Sequence, residues 1–304
     1  MLAVLAAAVS PALANAQDYP AEMVAKDRAV ILEATGPWKL DMDETGCRLS
    51  RSFGPEDAPS VLLLEQFAPR RVFQTTLAGP DIPELSGTSL YAGARSDEKT
   101  RRVYGMHGQT EYGPSLTVVN STLVSLEEWK EADGEPITPE IALEDAAMVE
   151  RFVVRQATRI VSFETGDMTE PVRALNACAF DFLSYWGLDP DAHRGFHPPA
   201  LSNEVTFLKR LMHEYAEKHA TSGHKAVAHI VAMIDREGAV TDCRTDYVMT
   251  TGGDEIDPCE DLREKRFDPA TDREGNAIAS YYSRSVELGF YSPWASSAHG
   301  ARFD

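Results

Sequence analysis

Side chains able to do chemistry are plentiful in this sequence, but their spacing sets most of them aside. His213-Glu214 with His219 approaches the helical zinc motif His-Glu-x-x-His, yet the second His stands six residues on. Six residues turn a helix through about 240°, so the two rings fall on different faces and read as ordinary surface histidines. Asp191, His193 and His197 are also close in sequence, but Gly195 and Pro198-Pro199 oppose the helix that would bring both rings to one metal. Gly-x-Ser-x-Gly elbows, P-loops and a GxGxxG following a strand are absent from the sequence. The expectation is therefore a protein without recognisable catalytic residues, cofactor or metal ligands. A secreted enzyme with dispersed residues in a cleft between two domains is the alternative, and a structural envelope protein the second alternative.

Cysteine is the informative residue type. Cys47, Cys178, Cys243 and Cys259 are even in number and show no CxxC or CxxH spacing. That pattern fits two disulfides in an oxidising compartment better than a zinc site. The opening MLAVLAAAVSPALANA agrees. Its apolar stretch from Leu2 to Val9, the break at Pro11 and the small-x-small triplet Ala14-Asn15-Ala16 read as a signal peptide over 1–16, too short to span a membrane. A periplasmic or secreted location without a membrane anchor is expected. The 29 basic against 48 acidic residues leave a net charge of −19, which repels phosphate backbones, so nucleic acid is not an expected partner.

The elements that position these residues divide the chain. Residues 17–35 read as a short helical lead. From Trp38 to about 124, short alternating or continuous apolar runs separated by Gly/Pro/Asp clusters read as strands of a β-rich unit. The acidic stretch 126–145 reads as a solvated loop entering a short helix, with Thr138 as N-cap and Pro139 at N1. Residues 151–163 read as a strand. A closing helix over about 170–186 carries Val172, Leu175, Ala179, Phe182 and Leu183 on one face, with Cys178 beside it. The Pro-rich segment 188–203 reads as a linker. Beyond it come a helix (202–219), a strand (227–234), a turn at Asp235–Gly238, a returning strand (239–248), a helix from Asp257 to Lys265-Arg266, and a last strand over 277–290. The fold class is α+β: a β-rich amino-terminal domain over 17–187 and a small α/β domain over 204–292, with 293–304 as a tail. Three disulfide pairings are possible. Pairing 47 with 178 and 243 with 259 keeps each bridge inside one domain. Cys259 in a helical first turn can also reach Cys243 if that helix lies on the strand's face.

The carboxy-terminal unit resembles the periplasmic C-terminal domain of the energy transducer TonB. VAHIVAMIDREGAVTDCRT resembles that family's first hairpin, TTGGDEIDPCEDL its turn and helix start, and RFDPATDREGNAI its entry to the final strand. The resemblance implies helix, hairpin, helix, strand, and a partner protein or extended peptide bound by strand addition to the last strand. On this sequence that edge runs over about 276–288, with Ile278, Ser280, Tyr282 and Arg284 as its contact residues. With a short cleavable leader and folded β structure over 17–200, the resemblance implies this contact mode, near TonB-linked outer-membrane transport, rather than force transmission.

Overall fold

A computed structural model describes residues 29–83, 90–95, 101–103, 105–123, 136–156, 159–252 and 256–289. The expected signal peptide, the tail and most of the acidic stretch lie outside the described residues. The class is α+β, with strands dominating. The strands are β1 (Ala29–Glu33), β2 (Lys39–Met42), β3 (Cys47–Phe53), β4 (Ser60–Gln66), β5 (Phe73–Ala78), β6 (Leu90–Arg95), β7 (Arg101–Val103), β8 (Met106–Thr110), β9 (Gly113–Ser121), β10 (Val149–Gln156), β11 (Arg159–Glu164), β12 (Ala226–Ile234), β13 (Val240–Thr250) and β14 (Ser280–Leu288). The helices are α1 (Leu143–Ala147), α2 (Thr169–Tyr185), α3 (Glu204–Lys218) and α4 (Pro258–Leu262).

Two larger sheets share one core. The first runs β2-β3-β4-β5-β9-β8, antiparallel throughout; the second runs β1-β11-β10-β6-β7. Alternation in β3 and β4 buries Leu49, Phe53, Leu62 and Leu64 beside Val154, Val161 and Phe163 of the second sheet. Phe53 and Phe163 meet edge to face with centroids 5.2 Å apart. The apolar face of α2 enters the same core, and Cys178 on it is bridged to Cys47 of β3 across a Cα separation of 6.1 Å.

The third sheet, ordered β13-β12-β14, is antiparallel and has both faces covered. Ala228, Ile230, Ala232 and Ile234 of β12 pack with Tyr282 and Val286 against Phe207, Leu208, Leu211 and Tyr215 of α3 and Leu262 of α4. The opposite face, with Met233 and Tyr281, meets Ala68 from the β4–β5 connection and Phe180, Leu183 and Trp186 at the end of α2. Double burial explains why β12 reads AVAHIVAMI, apolar at nearly every position. Its hairpin turns at Asp235, whose carboxylate accepts from the Glu237 and Ala239 amides. Gly238 sits there at φ +79°, where a Cβ would come within 1.9 Å of the Phe267 carbonyl oxygen. Both its dihedral and this close approach require glycine.

Several expectations need correcting. Ala29–Glu33, expected in a helix, is a strand parallel to β11; pairing with that strand outweighs local helical spacing. Residues 151–163 form not one strand but two antiparallel ones, β10 and β11. Thr138 caps no helix: Ile137 bridges to Phe196, the Ile141 amide donates to Asn176, and α1 starts only at Leu143. Helix α4 ends at Leu262, because Arg266 and Phe267 are drawn into pairing with Ala239 and Gly238. The 188–203 segment is no free tether. Phe196, His197 and Ala200 bridge to Ile137, Thr271 and Asp268, and both His193 and Phe196 are buried.

Candidate functional site

The three-stranded sheet has two outer edges, and they differ. In an antiparallel ladder alternate residues of an edge strand turn both backbone groups away from the sheet. On β14 these are the odd-numbered residues, and the carbonyls of two of them, Ser283 and Ser285, are taken. Arg284 Nη1 donates to the Ser283 oxygen at 2.9 Å while its Nε pairs with Glu204 of α3 at 2.6 Å. Asn120 at the end of β9 donates to the Ser285 oxygen at 3.3 Å. Asn120 holds φ +50°, a left-handed conformation that Asn tolerates better than most residues.

The β13 edge is open in its middle. Cys243 turns outward, its amide donating to its neighbour Asp242 at 2.9 Å and its carbonyl accepting from Arg263 Nη2 at 3.2 Å. Two residues on, Thr245 lies opposite Ile230 in the same phase, and its outward amide and carbonyl meet no partner among the described residues. A cleft of about 340 Å³ runs beside it, lined by Thr245, Tyr247, Ile256, Asp257, Arg263 and the 243–259 bridge. Asp257 caps α4 by accepting from the Cys259 amide, with Pro258 at the first helical position. The bridge ties that helix to β13 across a Cα separation of 5.6 Å, and the Tyr247 hydroxyl donates to the Ile256 carbonyl at 2.8 Å. Arg263 remains half exposed over this cleft.

Between the third sheet and the amino-terminal sheets runs a buried polar chain. Arg48 Nε donates to Glu65 at 3.0 Å, and Gln74 Nε2 donates to the other Glu65 oxygen at 2.6 Å. That leaves Gln74 Oε1 as acceptor for His229 Nε2 at 3.2 Å, so the bare Nδ1 accepts from the Ser285 hydroxyl at 2.6 Å. Ser285 and His229 thus have the form of a nucleophile and its base. The chemistry does not follow. Burial, with a smaller push from Arg70, lowers His229 to about 3, far below the near-neutral value a general base needs. Its ring stacks on Phe67 with centroids 3.5 Å apart and is fully buried. The chain fastens two sheets together.

The residues expected from sequence are distributed as follows. All four cysteines are bridged, 47 to 178 and 243 to 259. Of the edge residues, Ile278 precedes β14 and its amide donates to Ala270. Ser280 and Tyr282 are buried, Ser280 against His193 at 3.0 Å and Tyr282 on the helix-covered face. Arg284 bends back onto the Ser283 carbonyl and Glu204. Sequence reasoning missed Thr245, Arg263 and Tyr247. The signal available was polarity: β13 reads VTDCRTDYVMT beside the apolar β12, as an edge strand does beside a central one. Among the described residues no group of His, Cys, Asp or Glu is placed to hold a metal ion, and no helix is long and apolar enough to cross a membrane. Comparison with protein-family models, curated proteins and solved structures found no match.

Proposed function

We propose that this chain is an exported, periplasmic binding protein in which a TonB-like carboxy-terminal domain, set on a β-rich amino-terminal domain, takes an extended peptide of a partner protein by strand addition at β13. The two disulfides suit an oxidising compartment. The observation that carries the reading is the outward backbone of Thr245, unpartnered among the described residues and beside an open cleft, while Arg284 and Asn120 take the Ser283 and Ser285 carbonyls of β14. Strand addition needs an unpaired donor and acceptor on an edge, with room alongside for alternate side chains. The partner's place in TonB-linked outer-membrane transport follows from the family resemblance.

Proline at an outward-facing edge position removes a donor without breaking the sheet's own ladder. Capture of partners from envelope extract is therefore to be compared between the parent chain, Thr245→Pro and Ser283→Pro, each shown folded by circular dichroism. Loss of a partner with Thr245→Pro and its retention with Ser283→Pro is the expected result. The reverse pattern places binding on β14 and overturns the assignment.

A further inference from the structure

The buried contact between the third sheet and the amino-terminal sheets contains two histidines held in the same way. His229 joins Gln74 of β5 to Ser285 of β14. His193 lies in the 188–203 segment, fully buried, with Nδ1 2.7 Å from the Asp189 carbonyl oxygen and Nε2 3.0 Å from Ser280 Oγ of β14. A carbonyl only accepts, so Nδ1 carries the proton and the bare Nε2 accepts from the serine hydroxyl. Burial favours the neutral form of each ring, with one nitrogen donating and the other bonded to a serine of β14. Each also sits among aromatic rings, His229 on Phe67 and His193 beside Phe196 and Tyr281.

We propose that this junction is an acid-released fastening: protonating either ring puts a charge into a water-excluded, aromatic-lined contact and lets the third sheet part from the amino-terminal sheets. Parting bares the apolar face that includes Met233 and Tyr281, and breaks the Tyr281 hydroxyl's 2.5 Å bond to the Pro69 carbonyl.

The groups around each ring decide the sign. His229 faces Gln74 of β5 and, through it, Glu65 of β4; Phe67 and Arg70 from the β4–β5 connection; Ser285 and, two residues along, Glu287 of β14; and Asp246 opposite on β13. His193 faces Ser280, Tyr281, Phe196 and Asp189, with Asp191 and Arg194 beside it in the chain. Burial lowers both histidines, against a smaller opposing pull from Asp189 on His193. A lowered histidine contributes stability present above its unfolded value of 6.5 and lost as pH falls from there towards its folded value, about 3 for His229. Burial raises Glu65, Asp246 and Glu287, the last to about 7. Their contribution has the opposite sign, being fully present at low pH and, for Glu287, lost as pH rises from 4.5 to about 7. Glu287 and His229 therefore offset one another between about pH 6.5 and 4.5, and the acid loss emerges below that range.

The test isolates one ring. Urea unfolding of the full, disulfide-intact chain and of H229Q, from pH 7 to 4, gives a ratio of unfolding constants in which the carboxylates cancel. The parent's advantage over H229Q is expected to shrink about tenfold per pH unit below 6.5. A ratio that stays constant overturns the proposal. Should H229Q fail to fold, ring-nitrogen chemical shifts of the parent chain decide: a neutral ring with bare Nδ1 at pH 5 is expected, and a charged ring contradicts it. Hydrogen exchange localises the event. Amides of β12 and β14 are expected to exchange faster at pH 4 than at pH 7 after correction for intrinsic rates, while those of β10 and β11 hold. Uniform acceleration of all four strands contradicts release at the junction.

Discussion

The two edges of the carboxy-terminal sheet flank the same central strand, yet side chains from elsewhere in the fold meet their outward backbone differently. On β14, Arg284 covers one outward carbonyl and Asn120 the next, one reaching to α3 and the other coming from β9. On β13, side chains cover the backbone of Cys243, while that of Thr245, beside a cleft, turns outward without a partner among the described residues. Exposed edges invite association, and proteins usually blunt them. Here two carbonyls on the β14 edge are covered, while Thr245 of β13 is not, although its neighbour Arg244 donates to the Glu44 carbonyl between β2 and β3. A sheet's open edge is thus set less by the edge strand's own sequence than by what the rest of the chain places against it.

The largest expected effect comes from cutting the support of the open edge. Cys243→Ala with Cys259→Ala releases a loop of 16-residue separation, worth about 3 kcal/mol in the chain-entropy account, and frees α4 from β13. Urea unfolding should show that loss, and partner capture should fall with it. Next, Thr245→Pro should weaken partner binding tenfold or more at nearly unchanged stability, while Ser283→Pro leaves binding intact; a binding titration of the captured partner checks both. Arg284→Ala should uncap Ser283 and leave Glu204 unpaired, at a cost of about 1–2 kcal/mol in thermal or urea unfolding. If β14 then gains a partner or self-associates in sedimentation, the cap is what kept it closed. The smallest effect belongs to Asn120→Gly. Relief of the φ +50° backbone offsets the lost bond to Ser285, so stability should shift by less than about 1 kcal/mol.

Local features were legible in the sequence where local physics governs them. The Asp235–Gly238 turn, the capping of α4 by Asp257 with Pro258 and the buried face of α2 each depend on neighbours a few residues apart. The contrast between an apolar β12 and a polar β13 was likewise written in the strands themselves. What was not legible joins distant segments. Asn120 reaches Ser285 across 165 residues, and Gln74 reaches His229 across 155. No periodicity marks either pair, and so β14 read as an available edge. Similarly, 188–203 carries the Pro and Gly of a linker, yet its bridges to Ile137, Thr271 and Asp268 bind it into the fold.

Binding at β13 is tested most directly by amide exchange at two residues, Thr245 and Ser283, followed by NMR in the full chain before and after adding a partner captured from envelope extract. An added strand donates to one edge only, so Thr245 should pass from fast exchange to protection comparable with its inward-paired neighbour Arg244, while Ser283 stays as it was. Protection gained at Ser283, or at neither residue while the partner is bound, would contradict the account.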